Sequence, residues 1–291
     1  MGNCCLWQGG EGEKKNEIEA FPRVQVPGRS AAVAEADSEE LVEKEATTLD
    51  QEVVYTGQWK GNVRWGYGKQ EWPDGARYEG QWKDGVADGE GKFFHTDGDI
   101  YEGGWKNDKA CGLGTYFHSD GSKYVGGWLD DQKHGEAEEI WADGSKFKGT
   151  YQYGKKEGLG HFEWPEGSTY DGQFKDNSIH GEGKYTWTDG RSYTGQWVDN
   201  HMSGHGRFEW KDGRYYEGQY ADDKKEGEGV FSWPDGRVYE GQWKDGKQHG
   251  IGIFSTKSGQ KRKGEWKDGT RHKWISEAWK EGEQPAPEKT D

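Results

Sequence analysis

The sequence predicts an all-β protein: an elongated, single-layer antiparallel β-meander made of about ten copies of one 23-residue hairpin. Three observations carry this. An aromatic slot recurs every 23 residues without slipping, at Tyr55, Tyr78, Tyr101, Tyr124, Phe147, Tyr170, Tyr193, Tyr216 and Tyr239, and closes on Arg262. Aromatic residues and glycine alternate with polar ones at period two, which is the strand period and not the helical one. Asp-Gly pairs fall at one phase of the repeat. A unit copied in this way stacks on its neighbours instead of closing into a globule.

Each element follows from one period, YEGQWKDGVADGEGKFFHTDGDI, which runs from Tyr78 to Ile100. The first strand places Tyr78, Gly80 and Trp82 on one face, with Glu79, Gln81 and Lys83 on the other. The second strand is expected to carry Gly89, Gly91 and Phe93 on the aromatic face; other copies extend it, as in Gly158, Gly160, Phe162 and Trp164. Asp74-Gly75 and its equivalents are expected to form tight hairpin turns, because both residues tolerate positive φ. The connection between Trp82 and Gly89 reads as a longer, more variable loop tip. The glycines have a reason. A one-layer sheet has no second sheet to cover its apolar face, so its rings must lie across neighbouring strands where no side chain stands. Nearly twenty strands at about 4.8 Å give a rod of roughly 90 to 100 Å.

Composition agrees. Only 30% of residues are hydrophobic, whereas 14% are aromatic and glycine numbers 49, so the core must be rings packed over glycine. The net charge of −15 disfavours nucleic acid as a partner, since phosphate binding needs a basic face. Residues 1–52 hold −7 of that charge and residues 272–291 hold −2, leaving −6 on the array. Three segments follow: an acidic leader over 1–52, the repeat array over 53–271, and a cap and polar tail over 272–291. Within the leader, the alanine- and glutamate-rich run from Ala31 to Ala46 is expected to be at most a transient helix. Trp274, Ile275, Ala278 and Trp279 have the spacing of a short capping helix over the last repeat.

The pattern YEGxW…GxGxFxWPDG resembles the MORN (membrane occupation and recognition nexus) repeat, over residues 53 to about 270. The resemblance implies a sheet of successive β-hairpins used for scaffolding, for dimerisation and for membrane or lipid association. Junctophilins and plant phosphatidylinositol-phosphate kinases carry similar arrays. Only KWISEAWKEGEQPAPEKTD follows the last repeat in this sequence, so no catalytic domain like those of the kinases is expected. The fourth repeat departs mildly, with Ala137 in place of the second glycine.

Outside the array the chain begins MGNCCL. Gly2 is a candidate for myristate and Cys4 and Cys5 for palmitate, although Leu6 stands where the usual motif has Ser or Thr. Two acyl chains anchor where one binds only marginally. Three cysteines supply no disulfide framework, which fits a reducing, cytoplasmic compartment.

Candidate sites are few. His95, His118, His134, His180 and His249 fall at loop and turn phases, with no CxxC or HxxxH spacing, so no metal is expected. No catalytic residue stands out, since none breaks the repeat, and no cofactor is indicated. The aromatic row Trp59, Trp82, Trp105, Trp128, Trp197 and Trp243 is the candidate groove for a peptide, a helix or a lipid headgroup, against the simpler reading that it is the fold's only core. The expected function is a non-enzymatic scaffold held by acyl chains on the cytoplasmic face of a membrane and offering a rigid β-rod to protein partners, with a homodimer also allowed. The alternatives are a module that binds anionic phospholipid headgroups directly, or a structural component of a cilium or the cytoskeleton.

Overall fold

The computed structural model describes residues 40–283. Within them 21 strands form one open antiparallel sheet in which each strand pairs with its neighbours in sequence. The expected single-layer meander is what the chain adopts. Seven-residue strands such as Arg77–Lys83 alternate with nine-residue strands such as Val86–Phe94.

The turns exchange the roles expected of them. The Trp82–Gly89 connection is the tight one: Lys83 pairs with Val86, leaving only Asp84 (φ 52°) and Gly85 (φ 79°) between the strands. Later copies use Asn107-Asp108, Asp130-Asp131 and Asp222-Asp223, again with positive φ at both positions, as a two-residue turn matched to strand twist requires. The Asp-Gly sites make three-residue loops instead. The Trp72 N–H donates to the Ala76 carbonyl, the Gly75 N–H donates back to the Trp72 carbonyl, and only Gly75 has positive φ (96°). Asp74 caps the loop by accepting the Ala76 N–H at 3.0 Å. The side-chain alternation fixed the strand faces, but it could not count loop residues across a bulge.

That bulge lies on the nine-residue strand. Gly80 opposes Gly91 and Trp82 opposes Ala87, so Asp88, Gly89 and Glu90 face the single residue Gln81. Gly89 therefore belongs to the bulge, at φ 112°, where a β-carbon would collide with the Gln81 side chain. Gly91 has the role expected of it: a β-carbon there would overlap the Tyr78 ring.

The core is a single layer of interlocked rings. Tyr78 stands edge-on to Trp82 and to Trp105 of the next repeat, each with centroids 5.1 Å away. Its hydroxyl donates to the Gln81 carbonyl at 2.9 Å, and Trp105 Nε1 donates to the Gly91 carbonyl at 3.1 Å. Edge-to-face pairs add about 0.5–1.5 kcal/mol each beyond area burial. Neighbouring repeats are also stitched at the two-residue turns, where Asp108 accepts the Ala87 N–H and Asp131 the Ala110 N–H, both at 2.7 Å.

Both ends differ from expectation. Leu41–Thr48 is a strand, paired antiparallel with Val54–Lys60, where the sequence reading placed the end of a transient helix. The C-terminal cap is extended rather than helical. After the strand Thr270–Trp274, Ile275 donates to the Lys263 carbonyl and Trp279 exchanges two backbone bonds with Lys261. In both places an open sheet edge offers backbone partners, and that outweighs weak local helix propensity.

Candidate docking surface

The face that carries the rings holds two aromatic rows of different depth. Trp59, Trp82, Trp105, Trp128, Trp197 and Trp243, the candidate groove, retain only 2–6% exposure. They are the core. Five of them donate Nε1 to a glycine carbonyl of the preceding repeat: Gly68, Gly91, Gly114, Gly183 and Gly229. Alternation reports which face a ring occupies. How far the ring sinks depends on the bare glycine opposite it.

The second row escaped that reading. Trp141, Trp164, Trp187, Trp210 and Trp233 each directly follow one of five successive long strands, immediately before the three-residue loops, and are half-buried. One ring separates each from the next: Phe162, Tyr185, Phe208 and Phe231, with centroids 4.5–5.5 Å from the flanking indoles. Unlike most of the deep row, none of these five indole N–H groups donates to another described residue. The guanidinium groups of Arg191, Arg214 and Arg237 stack 5.4 Å from Trp187, Trp210 and Trp233 and pair with Asp189, Asp212 and Asp235. The signal was present in the sequence, as the tryptophan of the WPDG-type loop. Its period matches that of the deep row, so depth was the missing information.

In the second and third repeats this slot holds His95 and His118. His118 Nδ1 lies 2.8 Å from Asp99, both largely buried. Although burial opposes it, the Ser119 N–H, the Tyr116 hydroxyl and His118 together hold the Asp99 carboxyl below its usual range. Among the described residues no three His, Cys, Asp or Glu side chains converge as a metal site needs.

The fourth repeat also breaks the pattern more deeply than Ala137 announced. Glu139 occupies the slot of Phe93 and Tyr116 and is 3% exposed. It pairs with Lys133 Nζ at 2.5 Å and accepts the Tyr151 hydroxyl. Lys133 also lies 4.9 Å from the Tyr124 ring centre. In the first repeat Gln70 fills the same slot, bonded to buried Arg64. These pairs satisfy one another inside the core and act as polar plugs in an aromatic zipper.

Gly2, Cys4 and Cys5 lie outside the described residues. Among those described, no helix is long and apolar enough to cross a membrane.

Solved structures match the chain at low similarity. The TCP domain of Drosophila melanogaster SAS-4 (dCPAP), solved with a proline-rich motif of Ana2 (dSTIL), is 16% identical with a TM-score of 0.34, covering 69% of this chain and all of that one. The wild-type TCP10 domain of Danio rerio CPAP is 12% identical with a TM-score of 0.27, over 81% and 99%. Virginiamycin B lyase from Staphylococcus aureus is 11% identical with a TM-score of 0.17, over 84% and 89%. These likenesses carry no argument about function. No curated protein matches the chain significantly. The MORN repeat family model matches ten segments, beginning with 55–77 and 78–100 and ending with 239–261 and 263–272, and the first nine starts follow the tyrosine period. The period, the glycine-borne rings and the matched segments agree, and the chain belongs to the MORN repeat family.

Proposed function

We propose that this protein is a non-enzymatic adaptor, tethered to the cytoplasmic face of a membrane through acylated Gly2, Cys4 and Cys5 and presenting its array to protein partners. A repeat scaffold or binding module is what the MORN array supports directly. The carrying observation is the half-buried tryptophan row from Trp141 to Trp233, a partly open aromatic surface held on a sheet whose core is already closed by the deeper row. The tether rests on the MGNCC start. Direct reading of anionic lipid by the array is disfavoured, because one margin of the sheet is lined by turn aspartates such as Asp84, Asp130, Asp222 and Asp245.

The test is localisation of the full chain beside a Gly2→Ala, Cys4→Ser, Cys5→Ser variant. Release of the variant from membranes is the expected result. Unchanged membrane residence of the variant rejects the tether, and binding of the variant to anionic vesicles favours the lipid-reading alternative.

A further inference from the structure

We propose that the row Trp141, Trp164, Trp187, Trp210 and Trp233 is a docking track for a proline-rich segment in the polyproline II conformation, with basic residues at the Trp141–Trp164 end. The inference rests on reading the array as a docking scaffold and names the class of partner.

Spacing is the first argument. Successive indoles are two strands apart, about 9.6 Å at ordinary strand spacing, and the single ring between each pair holds them within about 10 Å. A polyproline II helix repeats every three residues, about 9.3 Å. Over the four intervals of the row the two periods drift apart by only about 1 Å, so one proline in three can meet each indole. An α-helical heptad advances about 10.5 Å, and its mismatch over the same distance is roughly 4 Å.

Hydrogen bonding is the second argument. The five indole N–H groups donate to no described residue. A polyproline II chain has carbonyls with no internal donor, whereas a helix has already used its own. Half-buried indoles that keep one donor unused are the kind of group with which aromatic-lined grooves hold such segments. Strand addition is not available here, because the row lies on the face of the sheet and every strand beneath it is paired on both sides.

Charge sets the direction. Beside Trp187, Trp210 and Trp233 the loop aspartates are neutralised by Arg191, Arg214 and Arg237. Beside Trp141 and Trp164 the corresponding acids are Asp143 and Glu166. Both are exposed, and Ser145 and Ser168 stand where the later repeats have arginine. Neither acid has an ion-pair partner among the described residues. One lysine lies over the rings toward each end, Lys156 at 4.9 Å from the Trp141 ring centre and Lys225 at 5.3 Å from Trp210. Asp143 and Glu166 therefore leave the Trp141–Trp164 end the more acidic of the two, which orients a segment with basic residues at one terminus.

The experiment titrates the full-length chain into a labelled dodecaproline carrying two arginines at one end, read by anisotropy, with a Gly-Ser peptide of equal length and charge as control. Selective binding of the proline peptide is expected. The pair Trp187→Phe and Trp210→Phe, which keeps rings but removes two donors, is expected to weaken it about tenfold. The exposed pair Asp143→Asn and Glu166→Gln is expected to weaken it several-fold and to flatten its salt dependence. Equal binding of the Gly-Ser peptide, or unchanged affinity in both variants, overturns the proposal. Preference for an amphipathic heptad helix also overturns it, as does self-association of the chain that disappears in the tryptophan variant. Acylation plays no part in this assay, so its failure leaves the tether to be judged by localisation alone.

Discussion

Gln81 Oε1 accepts the backbone N–H of Glu90 at 2.8 Å, across the bulge where three residues face one. The same bond joins Gln58 to Tyr67, Gln173 to Glu182, Gln196 to His205, Gln219 to Glu228 and Gln242 to Ile251. The glutamine of the YEGQW motif is therefore a bulge clamp: it supplies the acceptor that the interrupted ladder withholds.

Replacing Gln219 by Ala is expected to destabilise the array by about 1 kcal/mol, the worth of one hydrogen bond whose donor water can partly satisfy. The check is the urea midpoint at unchanged m-value. A neutral result would show that water replaces the clamp in full.

The strand glycines are more sensitive. A β-carbon at Gly91 or Gly206 would overlap Tyr78 or Tyr193, rings packed between their own and a neighbouring repeat's aromatics. Gly206→Ala is expected to cost about 2–3 kcal/mol by overpacking. Gly144→Ala, in an open loop at φ 92°, is expected to cost only the strain of about 1 kcal/mol. Chemical denaturation of both variants tests the ranking.

The Lys133–Glu139 plug offers a sharper contrast. Glu139→Ala strands Lys133 in the core and is expected to cost about 3–5 kcal/mol. The triple change Lys133→Ala, Glu139→Phe and Tyr151→Phe, which also removes the hydroxyl that Glu139 accepts, recreates the Ala87/Phe93 arrangement of the second repeat. It is expected to be neutral or stabilising, since well-packed apolar groups often match a buried ion pair. A triple variant no more stable than the single one would mean that the site cannot repack.

Stability should fall at high pH. Burial pushes the Tyr55 phenol up to about 12, with Arg64 pulling the other way. It also raises Tyr78, Tyr101, Tyr124, Tyr170, Tyr193, Tyr216 and Tyr239. In the unfolded chain these phenols ionise near the ordinary tyrosine value of about 10. The folded state binds more protons above that pH, so its advantage is present below pH 10 and is lost as pH rises toward 12 and beyond. Circular dichroism and tyrosinate absorbance should show late, cooperative unfolding together with ionisation; independent, early ionisation would contradict the packing.

Much of this was legible in the residues themselves. The 23-residue period, the strand faces, the rings over glycine and the open meander all follow from local alternation and from what a one-layer sheet must bury. Leu41–Thr48 was not legible, because its strand conformation comes from a neighbour's free edge and not from its own weak pattern. Glu139 stands in an aromatic slot in the sequence itself, but only the surrounding strands reveal that it is buried against Lys133.

The sequence by itself determined the repeat unit and which side chains share a face, since both depend on period and composition alone. Tertiary structure decided depth. It sank Trp82 and Trp105 into the core, where glycine carbonyls of the preceding repeat take their indole protons. It left Trp187 and Trp210 half open beside the loops with theirs unused. Two tryptophans of equal period differ only in what stands across the next strand, and that is a property of the folded neighbour.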